Sequence, residues 1–278
     1  MAFRDVLVYV DDTKSSASRL AVAVNLAERF DAHLVGLHVR PQLTVSGDMV
    51  PDCGGQITLL QQQYSEEAAA KARSCFQQTV GGSGIVSEWR DVTGDVLDLV
   101  ALHARYADLV VVGQADVDGD DPRNDRHLAD HLALESGVPV LVVPSVGHYA
   151  VVGERVLIAW NASREAKRAV GDAMPILSRS KGVKVLAVNP KEGRAGHGDV
   201  AGADICLHLA RHGVNATCES IWAPDLEVGG MLLSRAADDG VDLLVMGAYG
   251  RSRLRELILG GATRHILHHM TIPVLLSH

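Results

Sequence analysis

The feature that most constrains the fold is an internal repeat. The segment ADLVVVG at 107–113 is matched by VDLLVMG at 241–247, and VPVLVVP at 138–144 is matched by IPVLLS at 272–277. Both matches share one offset of 134 residues. Because two matches at one offset rarely arise by chance, the chain is predicted to contain two copies of one structural unit.

Each copy alternates short apolar runs with helical patterns. Near-continuous Val, Ile and Leu runs indicate strands that are buried on both faces, as in a parallel sheet that helices cover. Repeated β-α-β units therefore predict an α/β fold of two tandem doubly wound domains, at residues 1–148 and 149–278. The strands are predicted near 4–11, 33–40, 84–90, 107–113, 138–143, 154–161, 182–189, 214–221, 241–247 and 272–277. The helices are predicted near 14–30, 56–80, 94–104, 124–136, 163–178, 199–212, 225–239 and 257–269.

Charge and cysteine usage exclude some classes of protein. The 278 residues carry a formal charge of −8, which argues against binding to duplex nucleic acid but not against one small anion in a local pocket. The cysteines form no C-x-x-C pair. The opening residues MAFRDVLVYV lack signal-peptide features, and no apolar run reaches the ~18–20 residues of a membrane helix. We therefore expect a cytoplasmic protein without structural disulfides and without membrane contact.

A glycine pattern follows the fourth strand of the second copy, in VMGAYGRSRLRELILGGATRHIL. Gly247 and Gly250 come directly after the strand, and Gly260 and Gly261 precede the last helix. Glycine permits positive φ and close approach of a ligand to the backbone. Main-chain N–H groups at a helix N-terminus bind anions, so two such turns are predicted to cradle phosphates, with a hydroxyl added by Thr263. The alternative is that these glycines only form a turn and begin a helix.

The spacing G-x2-G-x9-G, together with VLIAWNASREAKRAV and the closing TIPVLLSH, resembles the universal stress protein family. The resemblance covers essentially the whole chain as two tandem domains. It implies a five-stranded parallel sheet of order 3-2-1-4-5 in each domain and ATP binding by the glycine motif. It also implies pairing through the last strands, as a homodimer or as an internal pseudo-dimer of the tandem chain.

Residue by residue, the resemblance implies a pocket for ATP, with or without Mg²⁺, or for a related adenine nucleotide. Ala159, Trp160 and Asn161 end the first strand, where the family commonly has an Asp near the ribose. Val188 ends the second strand, where the backbone faces adenine. The other residues assigned to nucleotide binding are Met246, Gly247, Tyr249, Gly250, Gly260, Gly261, Ala262 and Thr263.

Two positions of this pocket depart from the family pattern, and the role of a third position has two alternatives. Gly261 stands where the family usually has Ser or Thr, so one hydroxyl contact to phosphate is lost; such a bond to a charged group is worth about 1.5–3 kcal/mol. Asn161 keeps hydrogen-bonding capacity but lacks the charge of Asp. Trp160 either forms a wall of the pocket or crowds it.

The matching stretch of the first copy has lost the motif. Gly113 remains, but Asp116 and Arg126 stand in place of the second and third glycines. The intervening residues DVDGDD at 116–121 bring four carboxylates, which would repel a triphosphate. The first domain is therefore predicted not to bind ATP in the family's way, and to be a partner domain or to bind something else.

Two further motifs have weaker support. His265, His268 and His269 share one helix face at a spacing that can bind a transition metal, yet no nearby carboxylate or cysteine completes a ligand set. A polar helix face or a subunit contact is the alternative. GHGDVA at 196–201 fits a dinucleotide fingerprint but lies too far beyond the end of its strand, so a surface loop is the default.

These observations favour a regulatory protein over an enzyme. No residue in the glycine motif is an evident general base, so no catalytic residue and no metal ligand is assigned. Nucleotide binding in the second domain is expected to change a dimer surface or the surface for an unidentified protein partner. Two alternatives stay open: a slow ATPase or metal-assisted hydrolase that uses the histidines, and a scaffold that binds no ligand in either half.

Overall fold

The computed structural model describes residues 2–41, 54–115, 127–190, 200–249 and 261–278, and strands alternate with helices along these segments. The strands are β1 (Asp5–Tyr9), β2 (His33–Pro41), β3 (Ser87–Gly94), β4 (Leu109–Gly113), β5 (Val140–Val143), β6 (Arg155–Ala159), β7 (Gly182–Val188), β8 (Ala216–Ile221), β9 (Leu243–Gly247) and β10 (Val274–Ser277). The helices are α1 (Ser16–Phe30), α2 (Gly54–Val80), α3 (Val96–Ala104), α4 (Leu128–Glu135), α5 (Arg164–Leu177), α6 (Ala203–Arg211), α7 (Val228–Asp238) and α8 (Gly261–His269).

All ten strands belong to one sheet, in the order β3-β2-β1-β4-β5-β10-β9-β6-β7-β8. Each half has the predicted order 3-2-1-4-5, and every pairing within a half is parallel. The two halves join where β5 pairs antiparallel with β10, with Leu141 opposite Leu275. The α/β fold class with two doubly wound halves is therefore confirmed, and the two five-stranded sheets are continuous. The boundary between residues 148 and 149 stays a prediction.

Two hydrophobic layers cover the sheet, one on each face. Side chains alternate between the faces along a strand, so Val6 and Val8 belong to one layer while Leu7 and Tyr9 belong to the other. The first layer includes buried residues of α1, α2, α5 and α6, and the second includes those of α3, α4, α7 and α8. Helices on both faces explain why the central strands are apolar throughout rather than alternating.

The edge strand β3 departs most from its predicted bounds. The third strand was predicted near 84–90, but β3 extends from Ser87 to Gly94 because it follows β2 in register, from Leu34 opposite Ser87 to Pro41 opposite Gly94. Its residues are only half-buried or exposed, so hydrophobicity gives little information about where the strand ends.

The repeat extends to the hydrogen bonds that fix the sheet. Asp108 accepts hydrogen bonds from the backbone N–H groups of Arg4 at 2.6 Å and Asp5 at 3.1 Å. Asp242, at the equivalent position, accepts them from Gly153 at 2.7 Å and Arg155 at 3.1 Å. In each half, this carboxylate ties the residue before the fourth strand to the start of the first strand.

Candidate functional site

A cavity of about 210 Å³ lies at the C-terminal ends of β6, β7 and β9. This is the edge where the strand order of the second half reverses, the usual binding position in such folds. The lining residues are Ala159, Trp160, Asn161, Leu186, Val188, Val228, Leu232, Met246, Gly247, Tyr249, Gly261, Ala262 and Thr263. Every predicted site residue that the structure describes is among them, while Gly250 and Gly260 lie outside the described residues.

The end of β6 forms a tight turn into α5. The backbone N–H of Ser163 donates to Asn161 Oδ1 at 3.1 Å, and Ser163 Oγ in turn accepts from the N–H of Ala166 at 3.1 Å, capping the helix. Asn161 is exposed at the rim of the cavity. Because its oxygen is used by the turn, its Nδ2 group is the one that remains to donate to a ligand.

Trp160 follows β6 directly and is one of the lining residues of the cavity. Trp160 is half-buried, packs against the hydrophobic layer beneath it, and is held to β7 by a backbone N–H bond to the carbonyl of Leu186 at 2.9 Å. The cavity is present beside this residue. That Trp160 forms a wall for a bound ligand rather than crowding it stays a prediction.

The base of the cavity is apolar, and three of its residues were missed by sequence reasoning. Leu186 precedes Val188 by two positions in β7, so their side chains point to the same face of the sheet. Val228 and Leu232 are one helical turn apart on α7. The sequence offered one signal for Leu186, its i, i+2 spacing from the predicted Val188. Val228 and Leu232 could have been found as a pair from their own i, i+4 spacing.

One of the two roles expected of Gly247, positive φ, is not observed, while close approach of a ligand stays a prediction. We expected glycine here to provide positive φ, but Gly247 does not have it; Tyr249 adopts it instead, with φ 47°. A Cβ atom on Gly247 would lie 2.5 Å from the backbone nitrogen of Ala166 and 2.5 Å from the carbonyl carbon of Glu165. The glycine is therefore required by the close approach of the first turn of α5.

The N-terminus of α8 borders the other side of the cavity. Gly261, Ala262 and Thr263 begin this helix and line the cavity. The first N–H groups of an α-helix have no acceptor within the helix and point out of its N-terminus, where the helix dipole also favours negative charge. The cavity thus combines an apolar base with main-chain donors on one side.

The comparisons with known proteins agree with this architecture. The sequence profile described as the universal stress protein family matches residues 2–144 and 226–278, more than half of the chain. The chain belongs to the universal stress protein family. A universal stress protein from Archaeoglobus fulgidus has the same fold over 98% of this chain and 97% of its own, with a TM-score of 0.71 at 16% identity. A putative universal stress protein from Pseudomonas aeruginosa covers 99% and 93%, with a TM-score of 0.58 at 16% identity.

Sequence relatives match a short segment only. The universal stress protein Slr1230 of Synechocystis is 50% identical over 38 residues, which are 14% of this chain and 13% of the relative. The universal stress protein MJ0577 of Methanocaldococcus jannaschii is 40% identical over 40 residues, 14% of this chain and 25% of the relative. The chain therefore matches far less than two thirds of either relative.

In the first half of this universal stress protein, a buried arginine, Arg19, lies against Gly113, the counterpart of Gly247. The side chain is 3% exposed, and its guanidinium is 5.6 Å from the centre of the Tyr9 ring. A Cβ atom on Gly113 would lie 2.4 Å from Arg19 Nη1. Sequence reasoning missed this arginine, although it interrupts the apolar periodicity of SASRLAVAV. Residues 116–126, which carry the degenerate motif, lie outside the described residues.

The histidines of α8 take part in contacts within the domain. His265 Nδ1 is 2.7 Å from Glu227 Oε2, which links α8 to the residue before α7, and His269 Nδ1 is 2.9 Å from the carbonyl oxygen of His265. Within the described residues, no three His, Cys, Asp or Glu side chains are grouped so that they could hold a metal ion.

Among the residues that the structure describes, no helix combines the length and apolar composition that a bilayer crossing requires.

Proposed function

We propose that the C-terminal half of this stress-response family member binds ATP or a related adenine nucleotide, and that binding has a regulatory rather than a catalytic role. The observation that carries the proposal is the convergence of three predicted elements on one cavity: the turn after β6, the end of β7 and the N-terminus of α8. These elements offer, respectively, a polar rim, an apolar surface and main-chain donors, which match a ribose, a base and phosphates.

The dimensions of the cavity indicate how a nucleotide would be held. Its volume of about 210 Å³ is below the ~300–1,000 Å³ of typical ligand pockets. We therefore expect the cavity to enclose the base and part of the sugar, against Val188, Val228 and Leu232. The phosphates would then extend along the N-terminus of α8, where N–H groups supply positive potential despite the net negative charge of the chain.

The pairing of β5 with β10 supports an internal pseudo-dimer, in which the first half is the partner of the second. The proposed domain boundary, between residues 148 and 149, lies in the segment that connects the end of β5 at Val143 to the start of β6 at Arg155. A protein partner that responds to the bound nucleotide completes the proposal.

Thermal unfolding with added nucleotide tests the proposal directly. A ligand at a hundredfold excess over its dissociation constant stabilises the native state by about 2.7 kcal/mol. We expect a rise in Tm with ATP, ADP, AMP or cyclic AMP, measured with and without Mg²⁺. Absence of a shift with all four would refute nucleotide binding.

A charge variant at the helix N-terminus makes the test specific for the site. A Cβ atom on Gly261 would meet nothing within 4 Å, so a side chain can begin at this position without a clash at Cβ. Gly261→Glu should weaken nucleotide binding at least about tenfold, because a carboxylate would face the phosphates. Gly261→Gln has nearly the same shape without the charge and is the matched control. Equal affinities for the two variants would show that the phosphates bind elsewhere.

A further inference from the structure

Tyr249 is a strained residue in the wall of the cavity. It follows β9 by two positions, lines the cavity, and is only 2% exposed. Its φ of 47° is in the left-handed region, which is unfavourable for a residue with a Cβ atom and persists only where the surroundings hold it in place. The contacts that hold Tyr249 therefore also determine the shape of this wall.

One contact of the Tyr249 side chain comes from the other half of the molecule. The phenol of Tyr249 donates a hydrogen bond to the carboxylate of Asp130, on α4 of the first half. The preceding residue is held from β10, because the N–H of Ala248 donates to the carbonyl of Ser277 at 2.7 Å. The backbone of this turn is thus set by the second half, and the tip of the side chain is set by the first.

A second contact joins the first half to the far end of α8, the helix whose N-terminus borders the cavity. Gln114 follows β4 directly, and its Nε2 donates to the carbonyl oxygens of Leu267 at 2.9 Å and His268 at 3.1 Å, near the end of α8. Its Oε1 accepts from the N–H of Ser145 at 3.1 Å, which fixes the amide. Since α8 begins at the cavity, the first half contacts both the Tyr249 wall and the helix that offers the anion-binding N-terminus.

We propose that Asp130 is a positioning residue for the cavity of the second half, acting through Tyr249. The first half then has a function without binding a nucleotide of its own, because it sets the geometry of the cavity in the second half. This inference rests on the proposed function as far as nucleotide affinity is concerned. Coupling between a site and an interface is reciprocal, so a nucleotide in the cavity would also strengthen the contact between Tyr249 and Asp130.

Two measurements separate positioning from binding. The first is amide hydrogen exchange of the ligand-free protein, in peptides that cover β9 with Tyr249 and α8. Asp130→Ala should speed exchange in these peptides about tenfold, because a hydrogen bond to a charged group is lost. Glu135→Ala is the matched control, since Glu135 is an exposed carboxylate at the end of the same helix, and it should leave the exchange unchanged.

The second measurement is the dissociation constant for ATP in Asp130→Ala, Tyr249→Phe and the double variant. Each single change should weaken binding about tenfold, and the double variant should lose less than the sum of the two losses, because both remove the hydrogen bond between Tyr249 and Asp130. Asp130→Asn keeps an acceptor oxygen and should restore most of the affinity. If Asp130→Ala does not fold, both measurements compare Tyr249→Phe, which removes the hydrogen bond, with Asp130→Asn, which keeps an acceptor for it.

The outcomes distinguish the two proposals. Unchanged hydrogen exchange in both Asp130→Ala and Tyr249→Phe would overturn the positioning role, whatever the nucleotide does, and so would additive losses of affinity in the double variant. Faster exchange in a protein that binds no nucleotide would leave the positioning role in place and refute nucleotide binding instead.

Discussion

The guanidinium of Arg19 lies 2.9 Å from the carboxylate of Asp11, at the C-terminal end of β1. Asp11 corresponds to Asn161 of the second half, and Arg19 corresponds to Ala169. An alanine in one copy and a buried arginine in the other give the two halves different interiors at the same place. In the first half the Arg19 side chain occupies the space beside Gly113 that the first turn of α5 occupies beside Gly247 in the second half. That the first half does not bind ATP as the family does stays a prediction.

Replacing the arginine should reveal how much the ion pair stabilises the fold. Arg19→Met keeps much of the side-chain volume but removes the guanidinium, which is 4% exposed and pairs with an Asp11 side chain that is 22% exposed. Breaking a fully buried pair costs about 3–5 kcal/mol. We expect the lower end of this range, because Thr13 still donates its N–H to Asp11 at 3.1 Å. Urea unfolding at pH 7 measures the loss. Arg168→Met is the control, because the side chain of Arg168 is 53% exposed where it pairs with Asp172, and its loss should cost less than about 1 kcal/mol.

The pH dependence of this loss follows from the ionisation of Asp11. Burial acts to raise its pKa, but the charge of Arg19 and the hydrogen bonds of Thr13 outweigh burial and hold the pKa below its usual value of 3.8. The stabilisation is therefore present above about pH 3.8 and is lost as the pH falls through the lower folded-state pKa. The difference between wild type and Arg19→Met should shrink in acid. A difference that is the same at pH 7 and in acid would point to packing rather than charge.

The paired glycines that end β4 and β9 predict unequal responses to one substitution. In Gly247→Ala the new methyl group would lie 2.5 Å from backbone atoms of Glu165 and Ala166, so α5 must shift. Overpacking of this kind costs about 1–3 kcal/mol or more. In Gly113→Ala the nearest atom is the end of the flexible Arg19 side chain, which can move. Chemical denaturation should show a smaller loss for Gly113→Ala, and equal losses would contradict this explanation.

The double variant Gly113→Ala, Arg19→Met tests whether the cost of Gly113→Ala comes from displacing the Arg19 side chain. If displacement of the guanidinium is the main cost of Gly113→Ala, the same substitution in the Arg19→Met background should be less destabilising than in wild type. Residues in contact show such non-additivity, whereas residues that do not interact give additive losses.

These contacts show where reasoning from the sequence stops. The repeat, the order of strands and most of the cavity lining could be predicted, because buried parallel strands have continuous apolar runs and the glycine spacing resembles a known family. The role of Gly247 could not, since it depends on how closely the backbone of α5 approaches β9. The same is true of Tyr249, whose partner Asp130 is over a hundred residues away in the other half. The extent of β3 is set by its register with β2 rather than by its own composition.

A serine at the start of α8 should strengthen nucleotide binding. Gly261 stands where the family usually has Ser or Thr, its φ is not positive, and there is open space around its missing Cβ atom. Gly261→Ser adds a hydroxyl at the cavity, and a hydrogen bond to a charged phosphate should tighten binding roughly tenfold. Gly261→Ala restricts the backbone in the same way without the hydroxyl. Titration calorimetry should therefore rank serine above alanine, and equal affinities would exclude a direct contact with phosphate.

The two cysteines of the outer strand and helix should differ in reactivity. Cys206 on α6 is half-buried, whereas Cys218 on β8 is exposed, and both are free thiols. Burial, with a smaller contribution from the neighbouring Cys218, raises the pKa of Cys206 to about 11. At pH 8 only about one Cys206 thiol in a thousand is then a thiolate, which is the form that reacts with alkylating agents. Peptide mapping after brief treatment with iodoacetamide should show Cys218 modified first. Because burial is the larger cause, Cys218→Ser should leave Cys206 slow to react, and fast labelling of Cys206 in either protein would mean that its thiol is more accessible than its packing indicates.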